Sequence, residues 1–233
     1  MKVAFVSGNV KGIGRAITLR LLKMGYVVPI HYRNSYQEAL DLREFIKNEY
    51  KIEVPLYKAD LTKEDEVAKI LEEMIKIFPS VDILVNNVGD YMYKNLLELT
   101  FEEWKYIIDS NLNTAFLITS NFLKYVRRRI IFIGFAGSYQ VKAYPYTTAY
   151  NIAKTGLLIY AKSLAKLLAD RNITVNVIGV GVAENSVTKP IEEIPMKRTA
   201  TLEEICDLVE FLVSPRSDYI TGQLVEIAGG WKL

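Results

Sequence analysis

The chain has very little with which to bind a metal or form a crosslink. Among its 233 residues there is one cysteine, Cys206, and one histidine, His31. A single cysteine excludes an intrachain disulfide, and one histidine excludes a His–Cys metal cluster. Cys206 sits in the apolar run Ile205–Val213, which reads as a small buried hydrophobe. No apolar stretch approaches the roughly 18 residues of a membrane span, and no signal-peptide pattern precedes the strand-like Val3-Ala4-Phe5-Val6. An excess of one charge is also missing. Basic residues number 29 and acidic residues 27, so nothing points to nucleic acid or an anionic membrane surface. These absences lead to the expectation of a soluble, cytoplasmic protein.

What the chain does have is apolar residues, half of the total, in a regular alternation. Strand-like runs are Lys2–Val6, Val27–His31, Ile52–Leu56, Val81–Val85, Ile130–Ile133, Ile173–Ile178 and Leu224–Ile227. Helix-like runs lie between them, at Ile13–Met24, Tyr36–Glu49, Glu64–Phe78, Phe101–Val126, Tyr150–Ala169 and Leu202–Val213. Thr100 with Glu103, and Thr201 with Glu204, have capping-box spacing. Alternation of this kind predicts an α/β fold: a doubly wound parallel sheet of about seven strands with helices on both faces. No linker or repeat divides residues 1–233, so one domain is expected.

The ends of the strands carry the candidate chemistry. The first runs into Ser7-Gly8-Asn9-Val10-Lys11-Gly12-Ile13-Gly14. Glycines there let the backbone turn tightly, and the next helix aims its N-terminal amides at a phosphate; the alternative is a plain turn. The second ends in His31-Tyr32-Arg33-Asn34, where such folds read the adenosine ribose. Arg33 and Lys11 suit a 2′-phosphate, which favours NADP(H) over NAD(H); the alternative is a pair of solvated bases. Asp60 either accepts from an adenine amine or forms an Asx turn. The fourth strand ends in Asn86-Asn87-Val88-Gly89, where asparagines can tie neighbouring strand ends together. Asn111 lies inside a helical run, where asparagine points to a hydrogen-bonding task, a kink or a solvated position.

Tyr150 and Lys154 are four residues apart at the start of the run Leu157, Leu158, Ala161, Leu164, Ala165, Leu168. On a helix they share a face, with Cβ atoms about 5–6 Å apart. An ammonium there is expected to lower the phenol from its ordinary pKa of about 10, making Tyr150 a general acid or base. Alone, the pair reads more readily as two surface residues that share a helix face, because both are common on helices.

Together these pieces resemble the short-chain dehydrogenase/reductase family along nearly the whole chain. The matching motifs are S-G-N-V-K-G-I-G, A-D-L-T at Ala59–Thr62, N-N-V-G, S-N-L-N-T-A-F around Asn111, A-Y-N-I-A-K-T-G, and Y-I-T-G-Q-L-V-E-I-A-G-G from Tyr219. The resemblance implies a Rossmann-like NAD(P)-binding domain. It implies that Tyr150 exchanges a proton with the reacting oxygen, that Lys154 assists it and holds the nicotinamide ribose, and that Asn111 anchors a relay water. It implies a coenzyme site of Gly8, Asn9, Lys11, Gly12, Ile13, Gly14, Arg33, Asn34, Asp60, Leu61, Asn87, Gly89, Tyr150, Lys154 and Val182. A homotetramer or homodimer is implied as well, built on the two long helices that contain Asn111 and Tyr150.

The chain departs from the family at the substrate end. The usual serine past the fifth strand is replaced: counting from the strand gives Phe135, and counting back thirteen residues from Tyr150 gives Gly137, beside Ser138. Ser138 is therefore either a displaced polarising hydroxyl or an ordinary loop serine. Val180-Gly181 stands where the family has Pro-Gly, and the segment Ala183–Arg198 is expected to cover the substrate. The leading substrate classes are a 3-oxoacyl thioester and a pteridine. A second class of function is an NADP-binding redox sensor without catalysis; retention of Tyr150, Lys154 and Asn111 favours the enzyme.

Overall fold

The computed structural model describes Met1–Lys232. Its strands are β1 (Lys2–Val6), β2 (Tyr26–Val27), β3 (Ile30–Tyr32), β4 (Leu56–Lys58), β5 (Val81–Asn86), β6 (Val126–Phe135), β7 (Thr174–Val180) and β8 (Leu224–Ile227). Its α-helices are α1 (Gly12–Lys23), α2 (Tyr36–Tyr50), α3 (Glu64–Ile77), α4 (Phe101–Ile108), α5 (Thr114–Phe122), α6 (Thr148–Leu168) and α7 (Leu202–Val213). Six strands form a parallel sheet in the order β2-β1-β5-β6-β7-β8, and β3 pairs in parallel with β4. This is the α/β fold expected.

The one second strand expected, Val27–His31, is divided into β2 and β3 around Val28-Pro29. Proline has no N–H to place in a ladder. The Asn9 side chain fills the break: its amide donates to the Pro29 carbonyl at 2.9 Å and its oxygen accepts from His31 N–H at 2.8 Å. The third strand lies later than Ile52–Leu56, because Lys51 ends α2 in the left-handed region (φ 58°) and the chain must first travel back to the sheet.

The long helix expected over Phe101–Val126 is three pieces. A π-helical segment, Asp109–Asn113, separates α4 from α5, and β6 already begins at Val126. Both expected capping boxes are formed, at Thr100 with Glu103 and at Thr201 with Glu204.

Apolar side chains close the two faces of the sheet. On one, Leu157, Ala161 and Leu164 of α6 pack with Phe122 of α5 and Met74 of α3 against Phe5 and Phe132. On the other, Ile17 and Leu21 of α1 pack with Leu42 of α2 and Val209 of α7 against Ala4, Val6 and Ile131. The C-terminal ends of β1, β5, β6 and β7 therefore open on one edge, where such folds bind ligands.

Candidate active site

The loop between β1 and α1 forms a cradle that has no room for side chains. Gly8 and Gly12 have φ +63° and +52°, and a Cβ on Gly14 would lie 2.3 Å from the Gly8 carbonyl oxygen. Ser7 and Asn87 lock this loop to the end of β5. Ser7 Oγ accepts from the N–H groups of Asn87 and Val88 at 2.9 and 3.1 Å. Asn87 Nδ2 donates to the carbonyls of Ser7 and Gly8 at 2.9 and 3.1 Å. The first turn of α1 carries no acidic residue and no side-chain cap. Its free amides and positive dipole end fit a pyrophosphate. Gly8, Lys11, Gly12, Ile13, Gly14 and Asn87 line the adjoining cavity of about 660 Å³.

A smaller cavity of about 270 Å³ adjoins it, where Lys11, Arg33, Asn34, Asp60 and Leu61 meet. Arg33 lies at its exposed rim, where Tyr106 and the carboxylates of Asp60 and Asp90 strengthen its hold on its proton. Tyr106 in turn donates to Asp90 Oδ2 at 2.5 Å. Lys11 is not free; its ammonium is paired with Glu38 at 2.5 Å. Asp60 forms the Asx turn, accepting from Thr62 N–H at 3.1 Å and Thr62 Oγ1 at 2.7 Å while still facing the cavity. Asn9 is not on either cavity: it is fully buried, and its side chain is spent on the β2–β3 break.

Tyr150 and Lys154 also line the larger cavity and project from the first turns of α6, with Nζ 5.5 Å from the phenol ring centroid. Lys154 is 5 % exposed and donates to the Ile133 carbonyl of β6 at 3.0 Å. Gly89 admits this arrangement: a Cβ there would lie 2.4 Å from Asn111 Oδ1 and 3.2 Å from Lys154 Nζ. Asn111 sits within the π segment and donates to the carbonyls of Asp90 and Ile107 at 2.8 and 3.0 Å. Its Oδ1 is buried and has no hydrogen-bond partner among the described residues. An orphaned acceptor beside an ammonium is a built position for a water or a ligand hydroxyl. Both the cradle and this corner fit a dinucleotide.

One electrostatic expectation is corrected. Burial pushes the Tyr150 phenol above its ordinary pKa, helped by the neighbouring Tyr91, and Lys154 does not bring it down. Burial also lowers the Lys154 ammonium to about 8. Two groups that leave water together each favour their neutral form.

The structure does not bring Ser138 to Tyr150. Ser138 is buried, its hydroxyl donates to the Phe135 carbonyl, and it lines neither cavity beside the tyrosine. Phe135 stands there instead, edge-on to Tyr150 with centroids 5.4 Å apart. Tyr91 approaches the other way at 5.1 Å, and Trp231 meets Phe135 at 5.7 Å. With Tyr144 and Val182 they bound a third cavity of about 620 Å³ on the substrate side. The segment expected to cover the substrate contributes Thr188, Lys189 and Glu193 to it. Sequence reasoning missed Ser7, Tyr91 and Trp231. Ser7 had a signal, a hydroxyl at the strand end before the first glycine. The two aromatics had none, because only the folded chain brings them to Tyr150.

Comparison with known proteins bears on the family and the fold. A family model described as Enoyl-(Acyl carrier protein) reductase matches residues 8–232. The 3-oxoacyl-(acyl-carrier-protein) reductase of Aquifex aeolicus is 34% identical over 247 residues, covering 98% of this chain and 96% of that protein. The protein of that name from Staphylococcus epidermidis is 33% identical over 242 residues, covering 98% of each. Among solved structures, a short-chain dehydrogenase from Burkholderia cenocepacia in complex with NADP superposes with a TM-score of 0.91 at 25% identity, covering 98% of this chain and 97% of that one. A dehydrogenase/reductase from Sinorhizobium meliloti gives a TM-score of 0.91 at 27% identity, with 98% and 94% covered. The chain belongs to the short-chain dehydrogenase/reductase family and is an NAD(P)-dependent oxidoreductase acting on C=O or CH–OH groups.

Proposed function

We propose that the protein is an NADPH-dependent carbonyl reductase, one domain in extent, in which Tyr150 is the proton donor. The observation that carries this is that Tyr150, Lys154 and Gly89 line the cavity into which the glycine cradle opens, with Asn111 Oδ1 and Lys154 Nζ both closing on Gly89. When bound, the reduced nicotinamide supplies the hydride to the carbonyl carbon. Tyr150 delivers its phenolic proton to the carbonyl oxygen, giving the alcohol. The phenol is protonated at neutral pH, as reduction requires. Lys154, still largely charged at pH 7, balances the phenolate that remains. Asn111 Oδ1 and Lys154 Nζ face the same small space and hold the water through which Tyr150 is reprotonated. Gly8, Gly12, Gly14, Ile13 and Leu61 shape the coenzyme site. Arg33, with no acid at its position, favours the 2′-phosphate, and the NADP bound to the Burkholderia relative supports the choice.

For the substrate, the names of the relatives favour a 3-oxoacyl thioester. A pteridine is a second reading, supported by the ring-lined cleft and by the lack of a hydroxyl partner for Tyr150. The protein is expected to work in the cytoplasm as a homotetramer or homodimer. NADPH oxidation across 3-oxoacyl thioesters, simple ketones and dihydropteridines tests the proposal. Turnover of any of them supports reduction and ranks the classes. Tight NADPH binding with no turnover would instead leave an NADP-binding redox sensor.

A further inference from the structure

The segment after β8 is folded back into the active site by contacts that the reaction itself does not need. Gly229 and Gly230 have φ +59° and +84°, a pair of left-handed turns only glycine takes without strain. A Cβ on Gly229 would lie 3.1 Å from Ile194 Cγ2, and one on Gly230 would lie 3.0 Å from Pro195 Cγ. Met196 N–H donates to the Gly229 carbonyl at 3.1 Å. The turn is thus pressed onto the segment that covers the substrate. Its product is the placement of Trp231. That indole donates from Nε1 to Glu193 Oε2 at 3.2 Å, stands edge-on to Phe135, and carries the Lys232 ammonium 4.1 Å from its centroid. On the other side, Gln140 Nε2 donates to the Lys232 carbonyl at 2.6 Å, so the tail is tied to the β6–α6 loop as well.

Trp231 faces both the coenzyme-side cavity and the substrate-side cavity. It is held at its indole nitrogen, at its ring edge and through the next residue. A large ring so fixed beside Phe135 and Tyr150 limits the room left for the group attached to a reacting carbonyl.

We propose that Trp231 is a specificity-determining residue: it walls the substrate cleft and sets how long a substituent the cleft favours beside the reacting carbonyl. This rests on carbonyl reduction at Tyr150. Replacing the indole with a methyl group opens a channel beside Phe135 that an alkyl chain can fill, and each added methylene then contributes to binding.

The test uses two N-acetylcysteamine thioesters, acetoacetyl and 3-oxodecanoyl. Their binding to the NADP⁺ complex, where no turnover occurs, is measured by calorimetry for the wild type, Trp231→Ala and Trp231→Phe. Reduction of each by NADPH is measured separately. Trp231→Ala is expected to raise the affinity ratio of long over short thioester by at least about tenfold, with Trp231→Phe between the two. In a Trp104→Phe background Trp231 is the sole tryptophan, and the short thioester is expected to quench its fluorescence. A ratio equal in all three proteins would overturn the proposal, and so would a failure of both thioesters to bind any of them. A shifted ratio without reduction of either thioester supports the role of Trp231 and counts against the proposed reaction.

Discussion

The Lys154 ammonium donates to the Ile133 carbonyl across 3.0 Å, so strand β6 itself holds the lysine in place. Burial brings the ammonium from its ordinary 10.5 to about 8. Below pH 8 both the folded and the unfolded chain carry the proton, and the burial penalty is complete. Between pH 8 and 10.5 the unfolded chain binds more protons, so this residue's contribution to stability rises with pH across that window. Lys154→Met is expected to abolish turnover yet stabilise the coenzyme-free protein at pH 7 by about 1–3 kcal/mol. Tyr150→Phe should lower kcat by about 10²–10⁴ with little change in NADPH affinity. Chemical denaturation and steady-state kinetics measure both. A destabilised Lys154→Met protein would contradict the assignment.

Coenzyme choice should rest on Arg33 more than on Lys11. Arg33→Ala is expected to weaken NADPH by roughly 1.5–3 kcal/mol, the worth of a charged hydrogen bond, and to leave NADH nearly unchanged. Lys11 is already neutralised by Glu38 at 2.5 Å, so Lys11→Ala should matter less. Glu38→Gln should tighten NADPH by freeing that charge. Fluorescence titration with both coenzymes decides this; equal losses for NADPH and NADH in Arg33→Ala would remove Arg33 from the site.

What the sequence makes legible here is local. Tyr150 and Lys154 share a face because one helix carries both, and the Gly8–Gly14 turn is readable because its neighbours are a strand and a helix. Asn111 was visible as a poor helix former, and the break it marks is the π segment. The rest depends on distant partners. Pro29 announces a weak strand, but only the remote Asn9 shows how the break is filled. Ser138 and Phe135 are three residues apart, and nothing in their spacing says which side chain turns to Tyr150. Trp231 arrives from the far end of the described chain, through two glycines whose turning direction no periodicity records.

Ser138 should be dispensable for chemistry. Its hydroxyl donates to the Phe135 carbonyl and its carbonyl accepts from Thr155 Oγ1 at 2.9 Å, so its role is to shape the loop. Ser138→Ala is expected to leave kcat within a few fold and to cost about 1 kcal/mol of stability. A fall of about 10²–10³ in kcat, the usual effect of losing a donor to a developing oxyanion, would restore it to catalysis.

The outer faces of the helices at Asn111 and Tyr150 bear large exposed apolar groups, among them Phe101 (74 %), Ile159 (62 %) and Leu167 (72 %). A homotetramer or homodimer would cover them by twofold pairing. Light scattering at micromolar concentration is expected to give one of these masses, and Ile159→Glu to lower it. A monomer at that concentration would refute the pairing.

His31, the one histidine, is expected to set part of the protein's acid sensitivity. It is buried between the coenzyme cradle and β4: Gly8 N–H donates to Nδ1 at 2.9 Å, so the proton is on Nε2, which faces the Ala59 carbonyl at 3.2 Å. Burial lowers its pKa from 6.5 to about 4. Above pH 6.5 both folded and unfolded chains hold it neutral, and it exacts no penalty. As pH falls from 6.5 to 4 the unfolded chain takes up the proton first, and stability is lost, by roughly 3 kcal/mol once below 4. Protonation at Nδ1 would also face the Gly8 N–H donor and loosen the cradle. His31→Gln should therefore be less stable than the wild type at pH 7 but lose less between pH 6.5 and 4.5, as measured by urea denaturation at each pH. Its NADPH affinity should also fall less on acidification. Parallel stability curves for the two proteins would show that His31 stays neutral throughout, and would free the cradle from this control.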